Sequence, residues 1–332
     1  MTRDEFLSKS SGAILGMVVG DALGAPAKGM TPYEARKRYQ ALEKFYPYEN
    51  CKPGAYTSSA QMALLVANAL VRGPISRDLI LMELQKANLK PLDDLSKEGV
   101  EKAKMGIEKA KCTSQSPAGA WLPRVVPLGL FAAAQAVEPS ALAKQCVIAS
   151  WPTHYHKPSV AYGLALACVI KTCTLEPDSC SNPYEMFGSD HSLMARVVKI
   201  LKWADQRIEP SWRTEEPVWI RIQETWRMLQ KKASPEEYVG FFGLSDNCAD
   251  IVGLAMFMFM SNPGNFSAVQ KAASMGGPSN VVASLVGAMS GAYAGKFFIS
   301  QEMTDAIENS ARILSFCEKF GIKGALSLPK EA

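Results

Sequence analysis

Residues 10 to 24 carry glycine at every fourth position, at Gly12, Gly16 and Gly20, inside a run of Ala, Val, Leu and Ile. A glycine inside a helix costs about 1 kcal/mol relative to alanine, so three in register make sense where another element must come very close. Residues four apart share one face of a helix, and the three therefore form a stripe without Cβ atoms. A second helix can lie against such a stripe. This feature commits the N-terminal part of the chain to tight helix-on-helix core packing.

The rest of the sequence follows the same period, and convincing alternating strands do not appear. Ala60 to Val71 places Met62, Leu65, Val66, Ala69 and Leu70 on one side, and Gly73-Pro74 ends it. Ser76-Arg77-Asp78 caps a predicted helix over 77–87, and Ser96 with Gly99 and Val100 opens another that runs to Lys111. Cys112 to Gly119 reads as a loop. Pro127 to Val137, Ser140 to Ser150 and Ser159 to Thr172 read as apolar helices. Further helices are predicted over 191–205, 215–232, 247–260, 265–274, 279–294 and 300–319. Ser234-Pro235-Glu236-Glu237 is a helix start with proline at the first position. No repeat of 20 to 50 residues is present. The expected architecture is all-α, a single compact orthogonal helical domain over 1–332, with a surface loop at about 176–190 marked by Pro177 and Pro183.

Composition narrows the function. A hydrophobic fraction of 48% with 20% charged residues suits a globular chain with a large core. The net charge of +4 is spread along the chain. Its densest basic run, Lys28 to Lys44, is interrupted by Glu34 and Glu43 and reads as a solvated helix face, so no nucleic-acid partner is expected. The longest strongly apolar stretch, Ile251 to Met260, falls short of the roughly 20 residues of a membrane span, and no membrane partner is expected. The 8 cysteines include no CxxC and no zinc spacing with histidine, and they read as reduced. Met1-Thr2-Arg3-Asp4-Glu5-Phe6 has no apolar signal core, which points to a cytoplasmic protein.

Three segments carry a resemblance. The first is Gly20-Asp21-Ala22-Leu23-Gly24-Ala25-Pro26, the second Gly54-Ala55-Tyr56-Thr57-Ser58-Ser59-Ala60, the third Met275-Gly276-Gly277-Pro278-Ser279-Asn280-Val281 with Gly287, Gly291 and Gly295 behind it. Together they resemble the ADP-ribosylglycohydrolase family, which also contains the J1 crystallins of jellyfish lenses. Two further segments are similar to that family in between. Ser116 to Gly129 looks like its glycine-rich loop beside the nucleotide phosphates, and Trp151 to Pro158 like its Thr-His segment, with Thr153 and His154 matching. The resemblance implies an all-α ADP-ribosylglycohydrolase fold, two Mg²⁺ ions, and acids in Thr-Asp-Asp and Gly-Gly-Asp-x-Asp-Thr motifs that hold them.

Those acids are missing here. The matching positions are Thr57, Ser58 and Ser59, then Pro278, Asn280 and Val281. Mg²⁺ prefers hard oxygen ligands including carboxylates, and hydroxyls with one amide are weak substitutes, so no metal and no cofactor is expected. Hydrolysis without metal would need two placed carboxyl groups, and no acidic pair stands at the matched positions. Asp21 survives and reads as a helix-end or backbone anchor, Thr57 as an N-cap, and His154 and His156 as helix-entry hydrogen-bonding groups. Ser58 and Ser59 have neither a nucleophile elbow nor a matched base. No catalytic residue is expected. The sequence reads as a pseudoenzyme of this family, with a structural eye-lens J1-type crystallin as the first reading. The second reading is an ADP-ribose-binding pseudoenzyme or weak hydrolase, working through a vestigial cleft at Asp21, Gly119, His154, Gly276 and Gly277. A content of 15 Met, 13 Phe, 10 Tyr, 6 Trp and 8 Cys supplies polarizable side chains in keeping with the first.

Overall fold

In the computed structural model α1 (Arg3–Gly24) and α15 (Ser279–Ala294) form the most extensive helix pair. The glycine stripe is the reason. A Cβ built on Gly12 would meet Gly291 and Gly295, one on Gly16 would meet Gly287, one on Gly20 Ala283, and one on Gly24 Ser279. The falling numbers show an antiparallel crossing in which two small-residue stripes touch backbone to backbone. Both helices are buried along most of their length, as helices apolar on every side must be.

The structure describes residues 1–332 apart from 91, 93, 181–191, 209–210, 212–215 and 329–332, with backbone only at 94, 109 and 110. Around the central pair stand α2 (Pro32–Tyr39), α3 (Ser58–Arg72), α4 (Arg77–Lys86), α5 (Asp94–Lys104) and α6 (Lys109–Cys112). They are followed by α7 (Val126–Gln135), α8 (Pro139–Ser150), α9 (Lys157–Leu175), α10 (Leu193–Asp205), α11 (Ile220–Gln230) and α12 (Pro235–Phe242). The chain ends with α13 (Cys248–Ser261), α14 (Phe266–Ala273), α16 (Gln301–Asp305) and α17 (Ser310–Ala325). Among the described residues no strand forms and only isolated β-bridges occur, so the fold is all-α. Capping boxes at Thr2–Glu5, Thr31–Glu34 and Ser234–Glu237 fix the starts of α1, α2 and α12.

Several sequence expectations change. The helix predicted from Ser96 to Lys111 breaks at Gly106, whose φ of 74° ends α5 in a left-handed turn before α6 begins. The helix predicted over 300–319 is two: Glu308 N–H donates to the Gly54 carbonyl, and Asn309 at φ 58° restarts the chain as α17. The helix predicted over 215–232 begins at Ile220. The basic run from Lys28 to Lys44 is helical only over α2, because Gln40 turns left-handed. His191 and most of the predicted loop at 176–190 lie outside the described residues. Two helical stretches, Arg3–Ala27 and Lys157–Leu175, are long and apolar enough to cross a membrane by length and composition. Both are mostly buried inside the fold.

Candidate functional site

Asp21, near the end of α1, has no solvent exposure, and Thr57 bonds both oxygens of its carboxylate. It accepts the backbone N–H of Thr57 at 2.5 Å and the Thr57 hydroxyl at 2.8 Å. Thr57 is the N-cap of α3, so its Oγ1 also accepts the Ser59 N–H at 3.2 Å. Asn280, on the first turn of α15, donates its Nδ2 to the same oxygen at 3.2 Å. A hydroxyl offers one donor and two acceptor lone pairs, and all three are used. Burial pushes the Asp21 carboxyl up to about 6, against the opposing pull of the Thr57 backbone and hydroxyl bonds and of Asn280.

The turn that delivers Asn280 is fastened to the end of α1. Gly276 and Gly277 stand at φ 76° and 54°, and a Cβ on Gly276 would lie 2.3 Å from the Met30 carbonyl oxygen. Gly277 N–H donates to that carbonyl at 2.7 Å, and Gly29 N–H returns a bond to Gly277 at 2.8 Å. Ser279 Oγ donates to the Gly24 carbonyl at 2.8 Å. Pro278 occupies the N-cap of α15 without a cap bond, and Val281 is buried. Asp21, Thr57, Ser59 and Asn280 are thus one buried hydrogen-bonded knot where α1, α3 and α15 meet.

Ser58 is half-buried, and with Thr57 it opens onto a cavity of about 420 Å³. Lys28, Arg38 and Lys90 stand in its walls with Tyr48 and Glu49. Lys90 pairs with Glu308 at 2.5 Å. Burial and then the charge of Asp21 push the Tyr48 phenol well above its ordinary range, so it stays neutral. These wall residues lie outside every motif segment of the sequence. Reciprocal backbone bonds between Tyr48 and Cys51, at 3.3 and 2.8 Å, fold that stretch over the head of α3, and no local pattern announces them.

Two predicted cleft residues go elsewhere. The N–H of Gly119, a residue of the expected vestigial cleft, donates to the Asp246 carbonyl at 2.8 Å, and Cys248 N–H donates to the Pro117 carbonyl at 2.9 Å. The loop is zipped to the start of α13, and Trp121 behind it is fully buried against Gly163. His154 is buried with Nδ1 2.8 Å from the Thr153 hydroxyl. It lines a separate cavity of about 900 Å³ with Arg77 and Trp151, whose walls include neither Thr57 nor Ser58. His156 sets Nδ1 2.8 Å from Ser159 Oγ at the start of α9.

The sequence profile of the ADP-ribosylglycohydrolase family matches residues 2–328. The chain belongs to the ADP-ribosylglycohydrolase family. A solved structure described as an ADP-ribosylglycohydrolase-related protein complex superposes with a TM-score of 0.64 at 16% identity. The match covers 97% of this chain and 99% of that one. At that identity the likeness speaks for the fold alone. No curated protein matches by sequence.

The donor set at the family's metal positions does not fit two Mg²⁺ ions. Pro278 and Val281 carry no side-chain donor atom, and Ser58 and Ser59 offer only neutral hydroxyls where Mg²⁺ prefers carboxylates. Asn280 Oδ1 is a buried acceptor without a partner, one neutral oxygen where the family motif places a carboxylate. Among the described residues no group of three or more His, Cys, Asp or Glu could hold a metal. Among the described residues Glu49 is the one acid in the wall of the cavity at Thr57, and two opposed carboxyl groups are what metal-free glycoside hydrolysis requires.

Proposed function

We propose that this chain is a non-catalytic member of the ADP-ribosylglycohydrolase family, a pseudoenzyme whose scaffold serves a structural role like that of the J1 crystallins of jellyfish lenses. One observation carries the reading: the Asp21 carboxylate and the Thr57 backbone and hydroxyl are bonded to each other, with Asn280 closing the set at a position where the family motif calls for a metal ligand. A dense helix pair and a Met-, aromatic- and Cys-rich composition support a protein selected for packing and refractivity. In this reading the chain is one domain, works in the cytoplasm, and needs no metal, nucleic acid or membrane. Calorimetric titration with Mg²⁺ and with ADP-ribose, beside a hydrolysis assay on ADP-ribosylated arginine and serine, tests it. No heat and no turnover are expected, and Mg²⁺-dependent turnover would end the proposal. Measuring where the protein accumulates tests the lens role directly.

The cavity beside Ser58 favours a second reading. Three cations in its walls, Lys28, Arg38 and Lys90, suit an anionic ligand, so a pseudoenzyme that binds ADP-ribose without cleaving it would use this side of the molecule. Micromolar binding of ADP-ribose without turnover, abolished by Lys28→Ala with Arg38→Ala, is the result that would favour it.

A further inference from the structure

α9 ends where Pro177 follows Glu176, since proline has no N–H to continue the ladder. The chain then closes one 3₁₀ turn, Pro177–Cys180, with Ser179 N–H donating to the Glu176 carbonyl at 3.0 Å. This reversal returns Cys180 to the flank of the helix it has just left. Its sulfur lies 3.5 Å from that of Cys173 on the last turn of α9. Neither sulfur-bearing residue is exposed, whereas Leu175, Glu176 and Asp178 between them are.

The two thiols are unlike. The hydrogen bond with Cys173 lowers the Cys180 thiol despite its burial, helped by contact with Ser179 and by the charges of Arg196 and Lys9. Burial, and then the contact with Cys180, push the Cys173 thiol well up. Lys9 is held in place by its bond to the Thr174 carbonyl at 2.8 Å, and Arg196 by its ion pair with Glu176 at 2.8 Å. By contrast burial pushes Cys168, Cys248 and Cys317 up to about 12 and Cys146 well above the ordinary thiol range. Two sulfurs 3.5 Å apart are the arrangement of an oxidisable pair, because the first to be oxidised has a resolving thiol within reach.

We propose that Cys173 and Cys180 form a site of reversible oxidation, closed to an intramolecular disulfide by a hydroperoxide with Cys180 as the attacking sulfur. The Cys180 thiolate attacks the hydroperoxide: an S–O bond forms, the O–O bond breaks, and the departing alkoxide takes up the thiol's proton as an alcohol, or as water when the oxidant is hydrogen peroxide. Cys173 then attacks the sulfenic sulfur; the S–S bond forms, the S–O bond breaks, and hydroxide leaves with the Cys173 proton as water. Two thiols lose two electrons, and one hydroperoxide gains them. The sulfurs must approach from 3.5 Å to about 2.05 Å.

The test treats the reduced full-length protein with limiting hydrogen peroxide, alkylates it in denaturant, and cleaves it before aspartate. Asp178 is the sole aspartate between the two cysteines, so the two peptides stay joined only by the disulfide. The expected result is the loss of two alkylatable thiols, both in this pair, with Cys146, Cys168, Cys248 and Cys317 still alkylated. Oxidation at Cys51 first, or over-oxidation without a cross-link, would overturn the proposal. The order of attack is read from single variants with a dione trap for sulfenic acid. Cys173→Ser should leave a trapped adduct on Cys180, while Cys180→Ser should leave Cys173 unoxidised. The reverse pattern would refute the assignment of the attacking sulfur, and the cross-link in the unsubstituted protein decides the site should either variant fail to fold.

Discussion

Gly16 and Gly287 meet backbone to backbone across the α1–α15 crossing: a Cβ on either would stand 2.1 Å from the carbonyl oxygen of the other. Both carbonyls belong to helix backbone and cannot swing aside, so the pair sets how close the two helices come. Gly16→Ala should therefore destabilise the protein by about 3 kcal/mol or more, the upper part of the range for overpacked cores. Gly240 in α12 has open space where a Cβ would go, and Gly240→Ala should stabilise by about 0.5–1 kcal/mol through helix propensity. Denaturant unfolding of the two variants checks both signs. A neutral Gly16→Ala would mean that the helices are not in this contact.

Asp21 makes stability depend on pH in an unusual direction. Its folded carboxyl is raised to about 6 from an ordinary value near 3.8, mainly by burial. A raised group favours the native state while protonated, so this contribution is full below the unfolded value, declines as pH rises, and is lost above about 6. The stability difference between the unsubstituted protein and Asp21→Asn should thus shift against the former between about pH 4 and about pH 6. Urea unfolding across that window measures it. A flat difference would mean that Asp21 titrates as an exposed acid does.

Thr57 separates its hydroxyl from its shape. Thr57→Val keeps the volume but leaves the Ser59 N–H and Asn280 Nδ2 without their acceptor and Asp21 with one bond from this residue instead of two. Unmet buried groups cost about 1–3 kcal/mol each, and a loss of about 3 kcal/mol is expected. Thr57→Ser retains all three bonds and should cost under about 1 kcal/mol. Thermal melts of the pair report whether the knot or mere packing holds α3 to α1.

The glycine stripe, the caps and the apolar periods made most of the helices legible from sequence, because each is a local signal. The breaks within the stretches 96–111 and 300–319 were not, since Gly106 and Asn309 act through left-handed backbone that the apolar period runs straight over. At the site, motif order located Asp21, Thr57, Asn280 and the Gly276-Gly277 turn. It could not show that the Gly119 N–H is spent on Asp246, a residue far along the chain, or that Lys28, Arg38 and Tyr48 fold over α3. Non-local hydrogen bonding decides both, and no spacing rule encodes it.

The positions matched to the family's metal motifs should respond unequally when acids are placed there. Ser58 is half-buried at the first position of α3, where the helix dipole favours a negative charge, so Ser58→Asp should be neutral or stabilise by about 0.5 kcal/mol. Asn280 is buried in contact with the Thr57–Asp21 pair, and Asn280→Asp sets a second carboxyl beside one already short of solvent. That change should destabilise by about 3 kcal/mol and drive the carboxyl pair to share a proton. Because Pro278 and Val281 still bring no donor, Mg²⁺ should not restore the melting temperature of Asn280→Asp. Melts with and without Mg²⁺ decide it, and a metal-dependent recovery would show that the scaffold retains a usable metal pocket one substitution away.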